Sequence, residues 1–340
     1  MKNENEKTAE SGKGLDIGTA FLKAAEKGGD DIIFKSQRNA FFEVEHNDFI
    51  KNILNNSGVK YIHKENKLHV VGNDALEFAN MFNKEVRRPL SRGVINPREE
   101  EALPMVELLI KNLVGEPSHD GEIIYFSVPG EPLDAEFNTI YHQNVASQFL
   151  KKLGYTPKPI NEGYAIILSE LANDNFTGLA LSFGAGMVNV CFSFKAVPVF
   201  SFSIAKGGDW IDQQVSMVVN ETSSKVCAIK ESSLDLTKHD YDSKVESALS
   251  VFYNHLIEYL IENMKQELKK AKNLPQLNNP ITVVLSGGTS SPKGFDVRFK
   301  EILQKSNFPL AIGEVKMASS PLRAVAKGAL VAALADKTNA

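Results

Sequence analysis

The 340-residue chain is 43% hydrophobic and 24% charged, with a formal charge of −4 and a pI near 6.0; that length favours two domains over one, and that balance gives no bulk electrostatic reason to bind nucleic acid or an anionic membrane. Two cysteines, Cys191 and Cys227, are too few for a disulfide scaffold and lack metal-ligand spacing, which points to a reducing compartment. The polar N-terminus has no signal-peptide core and no run reaches about 18 apolar residues, so the expectation is a cytoplasmic protein without a membrane span.

Residues 1–13 are polar and rich in lysine and glutamate, and read as a disordered tail ahead of a first domain over 14–157 and a second over 158–340. Leu15 to Lys23 places an aspartate, a glycine and a hydroxyl residue in four positions, the pattern of a β-hairpin turn. In such a turn the backbone N–H groups, with Gly18 and the Thr19 hydroxyl, can wrap a phosphate. Asp16 would face a divalent cation, directly or through water, and Lys23 would meet phosphate oxygens. The plainer alternative is a D-x-G turn with a solvated lysine. Because Glu10–Gly14 offers little apolar sequence, the first strand is expected to be short or at a sheet edge.

Short apolar runs continue to a helix at about 99–113, with Leu103, Val106, Leu109 and Ile110 at helical spacing. Before it, Arg87, Arg88 and Arg92 flank Pro89 and read as a solvated loop rather than an anion site. Glu122–Val128 is a buried strand closed by Pro129-Gly130. A helix over about 134–153 follows, with Phe137, Ile140, Val145, Phe149 and Leu150 on one side. Past the break at 154–159, Glu162 leads through Gly163-Tyr164-Ala165 into another helix, 166–172, either as a cap or dipole partner or as the carboxylate that orients a water for attack on phosphate.

The second half repeats the first. Gly178–Leu181 is a strand that ends in Ser182-Phe183-Gly184-Ala185-Gly186-Met187 and returns through two β-rich segments. A repeat of this kind implies two related α/β domains facing one cleft. Gly207, Gly208 and Asp209 start a helix whose amides suit a phosphate, unless Asp209 is a plain N-cap. Lys230 and Glu231 lie on a polar helix, and Leu249 to Leu268 form the core stripe of a long one over 243–270. The apolar run Ile281–Leu285 ends in Gly287-Gly288-Thr289, either an ordinary strand-to-helix turn or a strand opening into a loop where a flat ligand can lie against bare backbone. In the last helix, 321–334, Gly328 allows close approach of another element.

These segments, in this order, resemble the nucleotide-binding motifs of the actin superfamily, near its MreB-like and archaeal branches. LDIGTAFLK is similar to the first phosphate motif, INEGYA to the first connecting motif, LSFGAGMVNV to the second phosphate motif, and KGGDWID to the loop before the nucleotide-side helix. AIKE resembles the stretch that flanks adenine and ribose, VLSGGT the adenosine motif, and PLRAVAKGAL the second connecting helix. The resemblance implies two ribonuclease-H-like domains around an ATP·Mg²⁺ cleft. Asp16, Gly18, Thr19 and Lys23 would hold the β- and γ-phosphates, with Asp16 on the metal side. Gly184, Ala185 and Gly186 would cradle them from the other domain, Lys230, Glu231, Gly287 and Gly288 would hold the nucleoside, and Glu162 would position the attacking water.

Three positions depart from that pattern: Ser182 replaces the usual aspartate, Met187 the usual threonine, and Asn189 a frequent acid. The expectation is therefore retained ATP binding with slow hydrolysis, in a cytoskeletal protein that polymerises with itself and with possible filament-associated adaptors. A nucleotide-dependent switch or scaffold that does not polymerise is the alternative. A sugar or carboxylate kinase of the same superfold is disfavoured, because no substrate-binding acid is recognisable.

Overall fold

The structure, a computed structural model, describes residues 11–81, 86–271 and 274–337. Most of the expected N-terminal tail, 1–10, lies outside them. From β1 (Lys13–Ile17) the chain turns back through β2 (Phe21–Gly28) and β3 (Asp31–Arg38). An insertion follows, made of β4 (Phe41–Glu45), α1 (Asp48–Asn56), β5 (Tyr61–Lys64), β6 (Lys67–Val71), α2 (Asn73–Met81) and the hairpin β7 (Leu90–Ser91) and β8 (Val94–Ile95). Helix α3 (Ala102–Val114) leads to β9 (Ile123–Val128), α4 (Thr139–Lys152) and β10 (Thr156–Asn161).

Helix α5 (Glu162–Glu170) carries the chain into β11 (Gly178–Phe183), β12 (Val188–Phe194) and β13 (Val197–Ile204). Three helices are inserted here, α6 (Gly208–Val219), α7 (Ser223–Ser232) and α8 (Lys244–Lys270). The chain ends with β14 (Ile281–Ser286), a 3₁₀ turn (Gly288–Ser290), α9 (Phe295–Lys305), β15 (Ile312–Met317) and α10 (Ala324–Lys337).

The expected repeat is present strand for strand. One sheet has the order β10-β9-β1-β2-β3 and the other β13-β12-β11-β14-β15. In each, the first three strands in sequence form an antiparallel meander and the last two join in parallel beside the first. Strands β11 and β14, flanked on both sides by neighbours, are buried throughout, which is why they read as continuous apolar runs. Both insertions enter between the third and fourth strands of their sheets.

Strand β1 is short, as expected, but it is not at an edge. It lies between β2 and β9, pairing Lys13 with Ile124 and Leu15 with Phe126. Ladder hydrogen bonds come from the backbone, so this strand needs a partner rather than a long apolar run. Lys13, assigned to the tail from sequence, belongs to the strand: it is buried, and its Nζ donates to Val114 O at 2.8 Å and to Tyr155 Oη at 2.9 Å.

Two helix faces also differ from expectation. On α3 the core side is Ala102, Met105, Val106, Leu109, Ile110 and Leu113, whereas Leu103 is exposed. On α4, Thr139, His142, Ala146 and Leu150 face inward and Ile140 is 63% exposed. This helix starts later than expected because Asn138 caps it, its Oδ1 accepting from Tyr141 N at 2.8 Å.

Between the two sheets, α5 packs on β11 and β12 while α10 packs on β1 and β9, and the two helices cross. The crossing depends on Gly328, where a Cβ would lie 1.7 Å from Ala165 O. The division expected at 157/158 falls inside β10, which stays in the first sheet to Asn161. Among the described residues no helix is long and apolar enough to cross a membrane.

Candidate functional site

A cleft of about 390 Å³ opens at the carboxyl ends of β1 and β11, where the two halves face each other. The two glycine turns that end these strands meet across it. In the first, Gly18 N donates to Phe21 O at 3.1 Å, closing the β1–β2 turn. Thr19 is buried and its Oγ1 accepts from Gly93 N at 2.9 Å, on the β7–β8 hairpin. Gly186, in the second turn, passes so close that a Cβ would lie 2.4 Å from Thr19 Oγ1 and 2.7 Å from Gly93 N. Any side chain at 186 would push the two domains apart.

Asp16, Glu162 and Ser182 form the floor. Asp16 Oδ1 accepts from Ser127 Oγ at 3.3 Å, and Oδ2 faces Lys23 Nζ at 3.4 Å. Glu162 is the first residue of α5, placed there by the Asn161 cap, whose Oδ1 accepts from Tyr164 N at 3.1 Å. Burial, and then the negative charge of Asp16, push the Glu162 carboxyl up to about 8, against the opposing pull of Ser182, Lys23 and Asn189. Ser182 pairs in register with Asn189 on β12 and Ser286 on β14, so the repeat places a hydroxyl where the first half has Asp16. Asn189 Oδ1 accepts from Gly130 N at 2.8 Å, tying the second domain to the segment after β9.

At the other end of the cleft, Gly287 adopts φ +98°, and a Cβ there would lie 2.2 Å from Phe183 O. Thr289 Oγ1 donates to Gly184 O at 2.9 Å, and Tyr253 Oη donates to Thr289 O at 3.0 Å. Lys230 lines the cleft with its Nζ held 2.6 Å from Asp212 and 3.1 Å from Gly208 O. Burial raises the Asp212 carboxyl while Lys230 opposes the rise. Glu231 is exposed at this end, and Cys227, its thiol pushed up to about 12 by burial, lies beside it with Sγ 3.6 Å from Glu231 Oε1.

The residues singled out from sequence therefore gather in one place. Asp16, Gly18, Thr19, Lys23, Glu162, Gly184, Ala185, Gly186, Gly208, Asp209, Lys230, Glu231, Gly287, Gly288 and Thr289 all line the cleft. Gly207 sits behind the second turn, where a Cβ would lie 2.5 Å from Ala185 O. The expectation that the amides opening α6 are available to a phosphate needs correction. Gly208 N donates to Gly184 O at 3.1 Å and Asp209 N to Ala185 O at 2.8 Å, so both brace the second turn.

Sequence reasoning missed Arg38, Arg88, Gly93 and Asp212, which also line the cleft. Arg88 was read as solvated, yet Nη1 bonds both oxygens of Asp209 at 3.0 Å across the cleft. Arg87, its neighbour, is held by Glu43 and Glu99. The available signal was the glycine in Ser91-Arg92-Gly93, which marks a tight turn among basic residues. Among the described residues no group of three or more His, Cys, Asp and Glu is arranged to hold a metal ion.

Comparison with solved structures establishes the fold. The chain is similar to the MamK double helical filament at a TM-score of 0.74 and 17% identity, covering 95% of this chain and 98% of that one. It is similar to MreB5 of Spiroplasma citri bound to AMPPNP at 0.65 and 17%, covering 97% of each chain. The ethanolamine utilization protein EutJ from Carboxydothermus hydrogenoformans follows at 0.52 and 14%, covering 95% and 90%. These likenesses confirm two actin-fold α/β domains facing a central cleft. No curated protein sequence matches. The profile of the Volactin family matches residues 12–333, almost the whole chain, and the protein therefore belongs to the Volactin family.

Proposed function

We propose that the protein binds ATP with Mg²⁺ in the cleft between its domains, hydrolyses it slowly, and assembles with itself into actin-like cytoskeletal filaments. The contact of Gly186 with Thr19 and Gly93 carries this reading: two glycine turns, one from each domain, close on the same point, while the Gly287-Gly288 loop leaves bare backbone at the other end. A ligand with a flat base at one end and phosphates at the other matches that layout. Its phosphates would touch both domains and favour their closed arrangement, a population shift of the kind that couples nucleotide state to assembly. MamK as a filament and MreB5 with AMPPNP or ADP support the same reading.

The floor of the cleft fits a magnesium ion that keeps most of its water. Asp16 is a buried carboxylate whose contact with Lys23 is long, and its charge already disfavours ionisation of Glu162. A single protein carboxylate plus substrate phosphates is a common way to hold Mg²⁺. When bound, the ion neutralises phosphate charge. Asp16 would orient it, Lys23 and the Thr19 hydroxyl would hold phosphate oxygens, and Glu162 would accept a hydrogen bond from the attacking water and take its proton. In the nucleotide-free cleft, burial and the charge of Asp16 raise the Glu162 carboxyl, and Ser182 supplies no second carboxylate to hold that water, which favours slow turnover.

Calorimetric titration of Mg-ATP into the protein tests the binding step. Binding that weakens at least tenfold in Gly186→Val supports the cleft assignment, while equal affinity in both proteins rejects it. Ser182 also favours the switch reading, in which tight binding occurs without assembly.

A further inference from the structure

Four cations line the cleft, and three are paired with acids: Lys23 with Asp16 at 3.4 Å, Arg88 with Asp209 at 3.0 Å, and Lys230 with Asp212 at 2.6 Å. The fourth, Arg38, has no acid partner among the described residues. It is the last residue of β3, directly opposite Phe21 in the ladder with β2. Its guanidinium carbon lies 4.9 Å from the centroid of the Phe21 ring. Phe21 is also the residue whose carbonyl closes the first phosphate turn.

The backbone here is fixed rather than loose. Arg38 N donates to Asn73 Oδ1 at 3.0 Å. Asn39, next in sequence, donates from N to Ala20 O and from Nδ2 to Gly18 O, both at 2.9 Å. The strand exit that presents Arg38 is thus the same piece of chain that braces the Gly18–Phe21 turn. An arginine at the end of a surface strand ordinarily carries its charged head out to water. This one is stacked on the ring beside the phosphate turn and forms part of the cleft wall. A planar fork of N–H donors, laid over an aromatic face, is well matched to two oxygens of one phosphate group.

We infer that Arg38 binds the terminal phosphate of the nucleotide and lets the cleft distinguish a triphosphate from a diphosphate. The inference rests on the nucleotide reading of the cleft. The choice of the terminal phosphate follows from position: Arg38 belongs to the first sheet, beside the first phosphate turn, whereas the nucleoside end is built from α7, β14 and the 3₁₀ turn of the second domain. Lys23, by contrast, is already held by the Asp16 carboxylate on the floor, at 3.4 Å.

The test is equilibrium binding of Mg-AMPPNP and Mg-ADP to the wild type, Arg38→Ala and Arg38→Lys, with thermal melting to confirm that each variant is folded. A charge-assisted hydrogen bond lost from one ligand only predicts that Arg38→Ala weakens AMPPNP binding about 10- to 100-fold and ADP binding by no more than about twofold. Arg38→Lys should fall between, since it keeps the charge and loses the fork. Equal weakening of both nucleotides, or no weakening of either, overturns the inference while leaving the nucleotide reading intact. A wild type that binds neither nucleotide overturns the nucleotide reading itself, and the inference with it.

Discussion

His142 is buried on α4 with neither ring nitrogen hydrogen-bonded among the described residues, and burial lowers its pKa from 6.5 to about 4. The unfolded chain takes up a proton near 6.5 and the fold only near 4, so its stabilising effect is present above that window and is lost as pH falls through it. The loss is on the order of 3 kcal/mol at the acid limit. Glu162 titrates with the opposite sign in the same window, so the test is made in Glu162→Gln: there the melting temperature should fall below pH 6.5, and adding His142→Leu should flatten that slope, whereas an unchanged slope contradicts the assignment. The folded Glu162 carboxyl ionises near 8 rather than 4.5, so its own contribution to stability is greatest below 4.5 and declines as pH rises toward 8. Glu162→Gln should remove that decline in the nucleotide-free protein. Placing an acid beside it tests the proposed reason for slow hydrolysis: Ser182→Asp should raise single-turnover phosphate release about tenfold or more with ATP affinity little changed. No acceleration in a variant that binds normally would mean that Ser182 is not what limits the chemistry.

At the scale of elements, the close crossing of α5 and α10 is set by one position. Gly328→Ala places a methyl group against Ala165 O and should destabilise the protein by roughly 1–3 kcal/mol or more in urea unfolding, as overpacking does. Gly328 was legible in the sequence because a glycine within a run of alanines in a helix signals close approach. The two glycine turns and the Gly287 loop were legible for a similar reason, since each ends an apolar strand with glycines. The central position of β1 was not, because its parallel partner lies more than 100 residues away and pairs through backbone atoms (Lys13 with Ile124). Nor was the buried face of α4, where a threonine, a histidine and an alanine face inward beside an exposed isoleucine. Hydrophobicity alone misreads a helix whose neighbours leave room for small side chains. The amides of Gly208 and Asp209 were misassigned because sequence shows a helix start without showing that the Gly184 and Ala185 carbonyls already occupy it.

Over the whole molecule, the contacts that join the domains include the Arg88–Asp209 ion pair, the approach of Gly186 to Thr19 and Gly93, the Asn189–Gly130 hydrogen bond and the Lys206–Asp134 ion pair. The first joins two side chains that line the cleft, and both partners are about one-third exposed, so solvent weakens it. Arg88→Asp should accordingly speed release of a fluorescent nucleotide about two- to fivefold, and the double variant Arg88→Asp, Asp209→Arg should return the rate toward wild type. Failure of the swap to restore the rate would show that the pair does not hold the cleft shut. If closure by nucleotide also prepares the surfaces for self-assembly, the two properties should appear together. High-speed sedimentation of the wild-type protein with Mg-ATP, with Mg-ADP and without nucleotide tests this most directly. Pelleting with Mg-ATP, reduced with Mg-ADP and absent without nucleotide, is the predicted result; protein that binds Mg-ATP tightly and stays in the supernatant under all three conditions would contradict it.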